Sequence, residues 1–118
     1  MERYLKGDVV IIPFPFSSLK QYKCRPALVL ASLKGEDVIL CQITSQLKKS
    51  RYCVPLEIQN FSQGGLPIPS FIHCAFVFTV SKKLIVKKKG TINMGTMVRV
   101  LQTFGTVFAM GEMREGSV

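Results

Sequence analysis

The sequence predicts a mainly β fold, a small and strongly bent sheet or partly closed barrel of five to seven strands ended by one C-terminal α-helix. Short β-branched apolar runs recur along the first three quarters of the chain, each bounded by Gly, Pro, Asn or Lys-rich turns. A single stripe of helical period follows them, near the C-terminus. At 118 residues the chain is long enough for one hydrophobic core and too short for two. One domain over 5–110 with a frayed tail over 111–118 is therefore expected.

Val9 to Phe14 reads as a buried strand that Pro13 and Pro15 either end or confine to an edge. Pro15 to Cys24 is a long polar loop, and Pro26 to Ala31 a second strand. Lys34-Gly35-Glu36-Asp37 is a turn signal, so Val38 to Thr44 returns as the other half of a hairpin. Ser45 to Arg51 is a basic loop, and Cys53 to Ile58 a strand that Pro55 places at an edge. Asn60 to Pro69 reads as loop, Ser70 to Val80 as the longest strand, Lys82-Lys83 as a turn and Leu84 to Val86 as a short strand. Asn93 caps a helix from Met94 to Phe108, whose Met97, Leu101, Phe104 and Phe108 share one face with Val100 and Val107 beside them. That stripe is read as core.

Hydrophobic residues make up 47% and charged residues 19%, which excludes a disordered chain. Sixteen Lys and Arg against seven Asp and Glu give a formal net charge of +9. The acids are unevenly spread. None lies between Ile58 and Gly111, a span holding Lys82, Lys83, Lys87, Lys88, Lys89 and Arg99. None lies between Val9 and Gly35, which holds Lys20, Lys23, Arg25 and Lys34. Such a balance suits an anionic partner, nucleic acid or an acidic protein, unless it serves solubility alone. The Lys87-Lys88-Lys89 run reads as a solvated turn face, with contact to an acidic partner as its alternative. No leader pattern opens the chain and no apolar run reaches the ~18 residues that cross a bilayer, so a soluble, cytoplasmic protein without a membrane partner is expected.

Cys24, Cys41, Cys53 and Cys74 form no CxxC pair, and His73 is the one histidine, so neither a zinc site nor any other cofactor is expected. Cys41 and Cys74 fall inside apolar strands and read as small buried hydrophobes. Cys24 stands beside Arg25, a charge that favours its thiolate, but only His73 could serve it as a base.

Gly7-Asp8-Val9-Val10, Arg25-Pro26-Ala27-Leu28-Val29-Leu30 and Gln42-Ile43-Thr44-Ser45 occur in this order and spacing. Over about Lys6 to Phe108 this arrangement resembles the MazF/PemK family of toxin endoribonucleases. The resemblance implies an SH3-like barrel with a terminal helix, shared in architecture with CcdB-like toxins, and a homodimer. It implies metal-independent cleavage of single-stranded RNA (mRNA) by 2′-hydroxyl attack, with no cofactor. It also implies an acidic antitoxin partner, and DNA binding by the antitoxin complex.

Carried over by position, the resemblance makes Arg25 and Thr44 the catalytic pair. Arg25 offers a permanent charge and a planar fork of donors suited to a phosphate, and its high pKa makes it a poor base. Its alternative is a strand-edge arginine paired with Asp8 or Glu57. Thr44 can donate to a phosphoryl oxygen or orient Arg25; its alternative is a β-branched strand residue at a turn. Ser45, Gln42, Lys20, Lys23, Lys48, Lys49, Arg51, Ser70 and His73 are the candidate substrate-binding residues.

The chain departs from the family over Ser70-Phe71-Ile72-His73-Cys74-Ala75-Phe76. PemK-type relatives commonly read Ser-x-Val-Arg-Pro-Asp-Lys there, so His73, Ala75 and Phe76 replace an arginine, an acid and a lysine. His73 either compensates as a group titrating near neutral pH or is a hydrogen-bonded structural residue. Phe16, Phe76 and Phe78 either stack on splayed bases or pack in the core. Because of this strand a non-catalytic toxin-fold binder of antitoxin or RNA stands as the alternative function. A topoisomerase-directed toxin of the same barrel is a further one, against which the Arg25 and Thr44 pair argues.

Overall fold

Gly7 sets the first strand in place. Its φ of +96° lies in the left-handed region that favours glycine, and both its backbone groups are used. Its N–H donates to the Val29 carbonyl at 2.9 Å and its carbonyl accepts from the Ile92 N–H at 2.9 Å. In this computed structural model, residues 3–14, 23–46 and 51–115 are described. They form seven strands, β1 Asp8–Phe14, β2 Lys23–Ser32, β3 Asp37–Thr44, β4 Cys53–Leu56, β5 Phe61–Gly64, β6 Ser70–Ser81 and β7 Lys87–Ile92, followed by helix α1 Met94–Ala109. One antiparallel sheet in the order β4-β6-β3-β2-β1-β7-β5 curls into a half-barrel.

The central strands are buried on both faces, which explains their nearly continuous apolar sequence. Val9, Leu28, Cys41, Ile43, Val54 and Ile72 pack on one face with Met97 and Val100 of α1. Their neighbours Val10, Ile12, Phe14, Val29 and Leu40 pack on the other with Ile85. Each such Leu or Ile side chain stabilises the fold by roughly 1.5–3 kcal/mol relative to exposure. Asp8, only 4% exposed, ties the ends of the chain together. Its carboxylate accepts from the Thr91 hydroxyl and the Leu5 N–H, each at 2.9 Å.

β1, β2, β3, β6 and the helix lie where the sequence predicts them, with the β2–β3 hairpin formed and β4 at an edge. β1 is not an edge strand. β7 covers only Asp8 to Ile11, so Pro13 needs no donor on that side. Four expectations are corrected. The segment expected as loop over 60–69 contains β5, which the sequence hides because Ser, Gln and Gly dominate it; its order comes from pairing with β7. The strand expected over 84–86 is instead a 3-10 turn over Lys82–Leu84, held by the Lys83 N–H donating to Ser81 Oγ at 3.2 Å. The lysine run expected as a turn is the start of β7, whose Gly90 and Ile92 are buried while its lysines stay in water. β4 likewise stops at Leu56, and Ile58 opens a short 3-10 turn, 67% exposed.

In α1 the cap is as predicted, Asn93 Oδ1 accepting from the Thr96 N–H at 2.9 Å. The stripe is core only in part. Met97 and Val100 are buried and Phe104 packs against them, whereas Leu101 is 47% and Phe108 78% exposed. The described sheet does not reach under the second half of the helix.

β5 and β7 approach so closely that only glycine fits at the crossing. A Cβ on Gly64, whose φ is +66°, would stand 2.2 Å from the Lys89 carbonyl oxygen, and one on Gly90 2.4 Å from the Gln63 carbonyl oxygen. Gly64→Ala should therefore destabilise the fold by about 2–4 kcal/mol in urea unfolding. Gly105→Ala, at a helix position with open space around it, should stabilise by about 0.5–1 kcal/mol. Unchanged stability of Gly64→Ala would show that the two strands do not cross this tightly.

Candidate functional site

The site grows from the register of β2 against β3. Ala27 opposes Gln42 in the ladder, and the next positions of the same face on each strand are Arg25 and Thr44. β1 supports β2 from behind, with Ile12 opposite Arg25 and Ile11 opposite Pro26. Arg25 is thus held at a strand end by a rigid scaffold, with part of its side chain covered. Its Nε is buried without a hydrogen-bond partner among the described residues. Such an unmatched donor costs on the order of 1–3 kcal/mol, the kind of expense met at functional sites. Neither Asp8 nor Glu57 pairs with Arg25 among the described residues, since the ion pair found there joins Lys83 to Glu36 at 3.3 Å. The strand-edge ion-pair alternative for Arg25 is thereby set aside.

Thr44 is 8% exposed, and its Oγ1 accepts from the Gln46 N–H at 3.2 Å, which turns the chain out of β3. The hydroxyl keeps its own proton to donate. Ser70, 4% exposed, donates from Oγ to the Ile68 carbonyl at 3.1 Å and so holds the preceding loop in place. Arg25, Thr44, Ser45, Ser70 and Lys89 line a cavity of about 320 Å³, with Ile11, Pro26, Ile43 and the 66–68 loop supplying apolar wall and Cys24 at its side. Among the described residues no carboxylate lines it. Arg25, with the Thr44 and Ser45 hydroxyls over an apolar floor, can hold an oxyanion and donate to charge that develops on it, and Lys89 adds a second cation to the wall.

The other predicted residues are distributed differently. Gln42 and His73 face each other across β3 and β6 on the face that carries Thr44, yet neither lines the cavity. Lys23 starts β2 opposite Phe14, and Arg51 is exposed in the turn before β4. Lys20, Lys48 and Lys49 lie outside the described residues, as does Phe16. The His73 ring stands 6.3 Å from Phe76, which is 5.8 Å from Phe78 and 6.4 Å from Phe14. Phe14 and Phe78 meet edge to face at 5.3 Å, so Phe76 and Phe78 are tied into a packed aromatic cluster. Lys89 and the 66–68 loop are the cavity residues that sequence reasoning missed. The paired Gly64-Gly65 and the later Gly90 were the available signal.

Cys41 and Cys74 are buried as expected. Burial pushes the Cys74 thiol up to about 12, with Cys53 nearby adding to the effect. Burial also raises Cys41, with a further contribution from Cys74. Neither is a thiolate near neutral pH. Cys24 is exposed on β2, and β3 separates that strand from His73 on β6. Among the described residues no three His, Cys, Asp or Glu gather into a metal-binding group, and no helix is long and apolar enough to cross a membrane.

The fold is that of known toxins. The chain is similar to the Mycobacterium tuberculosis toxin MazF-mt6, with a TM-score of 0.71 at 18% identity over 89% of this chain and 99% of that one. It is similar to MazF from Deinococcus radiodurans, with a TM-score of 0.72 at 18% identity over 93% of this chain and 100% of that one. A mycobacterial endoribonuclease in complex with its cognate antitoxin gives a TM-score of 0.72 at 16% identity over 94% of this chain and 100% of that one. No functionally curated protein matches. At the level of sequence, residues 5–108 match the family described as PemK-like, MazF-like toxin of type II toxin-antitoxin system. The chain belongs to this PemK-like, MazF-like toxin family.

Proposed function

We propose that the protein is a cytoplasmic, metal-independent endoribonuclease that cleaves single-stranded RNA as the toxin of a type II toxin–antitoxin pair. The observation that carries this reading is the placement of Arg25 and Thr44 near the adjoining ends of neighbouring strands, in the wall of a cavity that no described carboxylate lines. In the proposed reaction the 2′-hydroxyl oxygen of one nucleotide attacks the adjacent phosphorus. The P–O5′ bond breaks as the new P–O2′ bond forms. The 2′-hydroxyl loses its proton and the departing 5′-oxygen gains one. Arg25 holds the scissile phosphate and stabilises the charge that grows on its oxygens. Thr44 donates its hydroxyl proton to one of those oxygens. The nucleophile belongs to the substrate, so positioning supplies much of the rate.

Cleavage is expected in EDTA, leaving a 2′,3′-cyclic phosphate and a 5′-hydroxyl on a long single-stranded RNA whose new 5′ ends are mapped. A 2′-deoxy sugar at the scissile step should resist. Equal cutting of that analogue, or cutting only with added Mg²⁺, overturns the mechanism. Arg25→Ala should lower the rate on the order of 10²–10³-fold, the loss typical of a transition-state donor. Thr44→Ala should lose less. Full cleavage by folded Arg25→Ala would place the reaction elsewhere.

The partners follow from the same surfaces. An acidic, extended antitoxin segment laid along the basic groove would compete with RNA without changing the fold. The uncovered half of α1, with Leu101 and Phe108 beside Phe104, supports a second copy of the chain as its cover. Light scattering at micromolar concentration should give a dimer, and Phe108→Ser should weaken it. A monomer for the unsubstituted protein would refute the assembly.

A further inference from the structure

The β1–β7 ladder contains a break at the edge of the cavity. Asp8 opposes Thr91 and Val9 opposes Gly90, but the next partner of Val10 is Lys88 and that of Ile11 is Lys87. Lys89 is the extra residue, a bulge that takes it out of the strand's alternation. A bulge re-aims a side chain, and this one is fixed on both sides. Gly64 and Gly90 bring β5 against it too closely for any Cβ. The Lys89 carbonyl accepts from the Gly65 N–H at 3.2 Å. Lys89 lines the cavity while its carbonyl is engaged there. Its neighbours Lys87 and Lys88 keep regular ladder positions and do not line the cavity.

We infer that Lys89 is a substrate-binding residue that holds a second backbone phosphate of the RNA strand whose scissile phosphate Arg25 holds. This rests on the endoribonuclease reading above and adds to it the way the strand is gripped. Among the described residues the cavity wall carries these two cations and no acid, and they come from strands far apart in the chain, β2 and β7. A polyanion with regularly spaced charges satisfies both, whereas a lone small anion needs only one. Lys89 is exposed and flexible, so it acts as a point charge and not as a fork. Its contribution belongs in binding and not in the bond-breaking step.

The test compares Lys89→Gln with Lys88→Gln, which remove the same charge from adjacent residues of one strand. The probe is a random-sequence single-stranded 2′-O-methyl oligonucleotide pool, which cannot be cut by 2′-hydroxyl attack and needs no known cleavage motif. Lys89→Gln should bind about tenfold more weakly, with the salt-dependence slope reduced by about 1. Lys88→Gln should bind as the unsubstituted protein does, and Lys89→Arg should restore most of the affinity. On cleavable RNA, Lys89→Gln should raise KM and leave kcat unchanged. Equal effects of the two glutamine variants would mean a diffuse field and overturn the role of Lys89 alone. A protein that binds the pool selectively through Lys89 but never cuts RNA would keep the grip and refute the nuclease. A protein that binds no oligonucleotide overturns both.

Discussion

Everything in this molecule depends on the register of strands that are apolar on both faces. Val9 and Val10, or Leu28 and Val29, belong to opposite cores, so a one-residue slip would exchange one buried hydrophobe for another. Alternation between polar and apolar faces therefore does little to fix the alignment here. The ends of the strands do it. Gly7 is bonded to β2 on one side and to the last residue of β7 on the other, and the Asp8 carboxylate fastens Thr91 and Leu5 beside it. Once that corner is set, Arg25 is held opposite Ile12 and shares the cavity wall with Thr44.

Much of the fold was legible because its central strands announce themselves. Val9 to Phe14 and Val38 to Thr44 are apolar runs between turn signals, and Asn93 before a periodic segment marks a helix start. What was hidden has the opposite character. β5 reads Phe-Ser-Gln-Gly and β7 reads Lys-Lys-Lys-Gly-Thr-Ile, neither of which has intrinsic strand preference. Their order is tertiary, imposed by a backbone crossing that only Gly64 and Gly90 permit. The same divide runs through the site. Arg25 and Thr44 lie on strongly patterned strands and were named from a local motif. Lys89 reaches the cavity through a bulge, and a bulge leaves no mark in hydrophobic periodicity. Phe108 erred in the other direction, since periodicity marks an apolar face but cannot say whether this chain covers it.

β6 shows how one strand can belong to two environments. Its first half sends Ile72 and Cys74 into the core shared with α1, and it pairs with both β3 and β4. Its pairing with β3 then shifts between Cys41 and Gln42; Phe76 lies within that irregularity and Phe78 beyond it, and both join Phe14 in the aromatic cluster. Ring packing therefore occupies this half of the strand. His73 sits at the junction, between Gln42 and Cys53 in the ladder and against Phe76 at its side.

The cavity draws Ile11 and Arg25 from the beginning of the chain and Lys89 from near its end, and β1 is framed by β2 and β7. On a ribosome, β1 and β2 emerge early but must wait for β7 before their ladder is complete. The pairing is long-range, and closing it comes late and slowly in folding. A half-made chain therefore has the arginine and the threonine without the wall opposite them. The cavity is whole only after residues 87–92 have paired with β1, so its assembly waits on the last strand of the sheet to form.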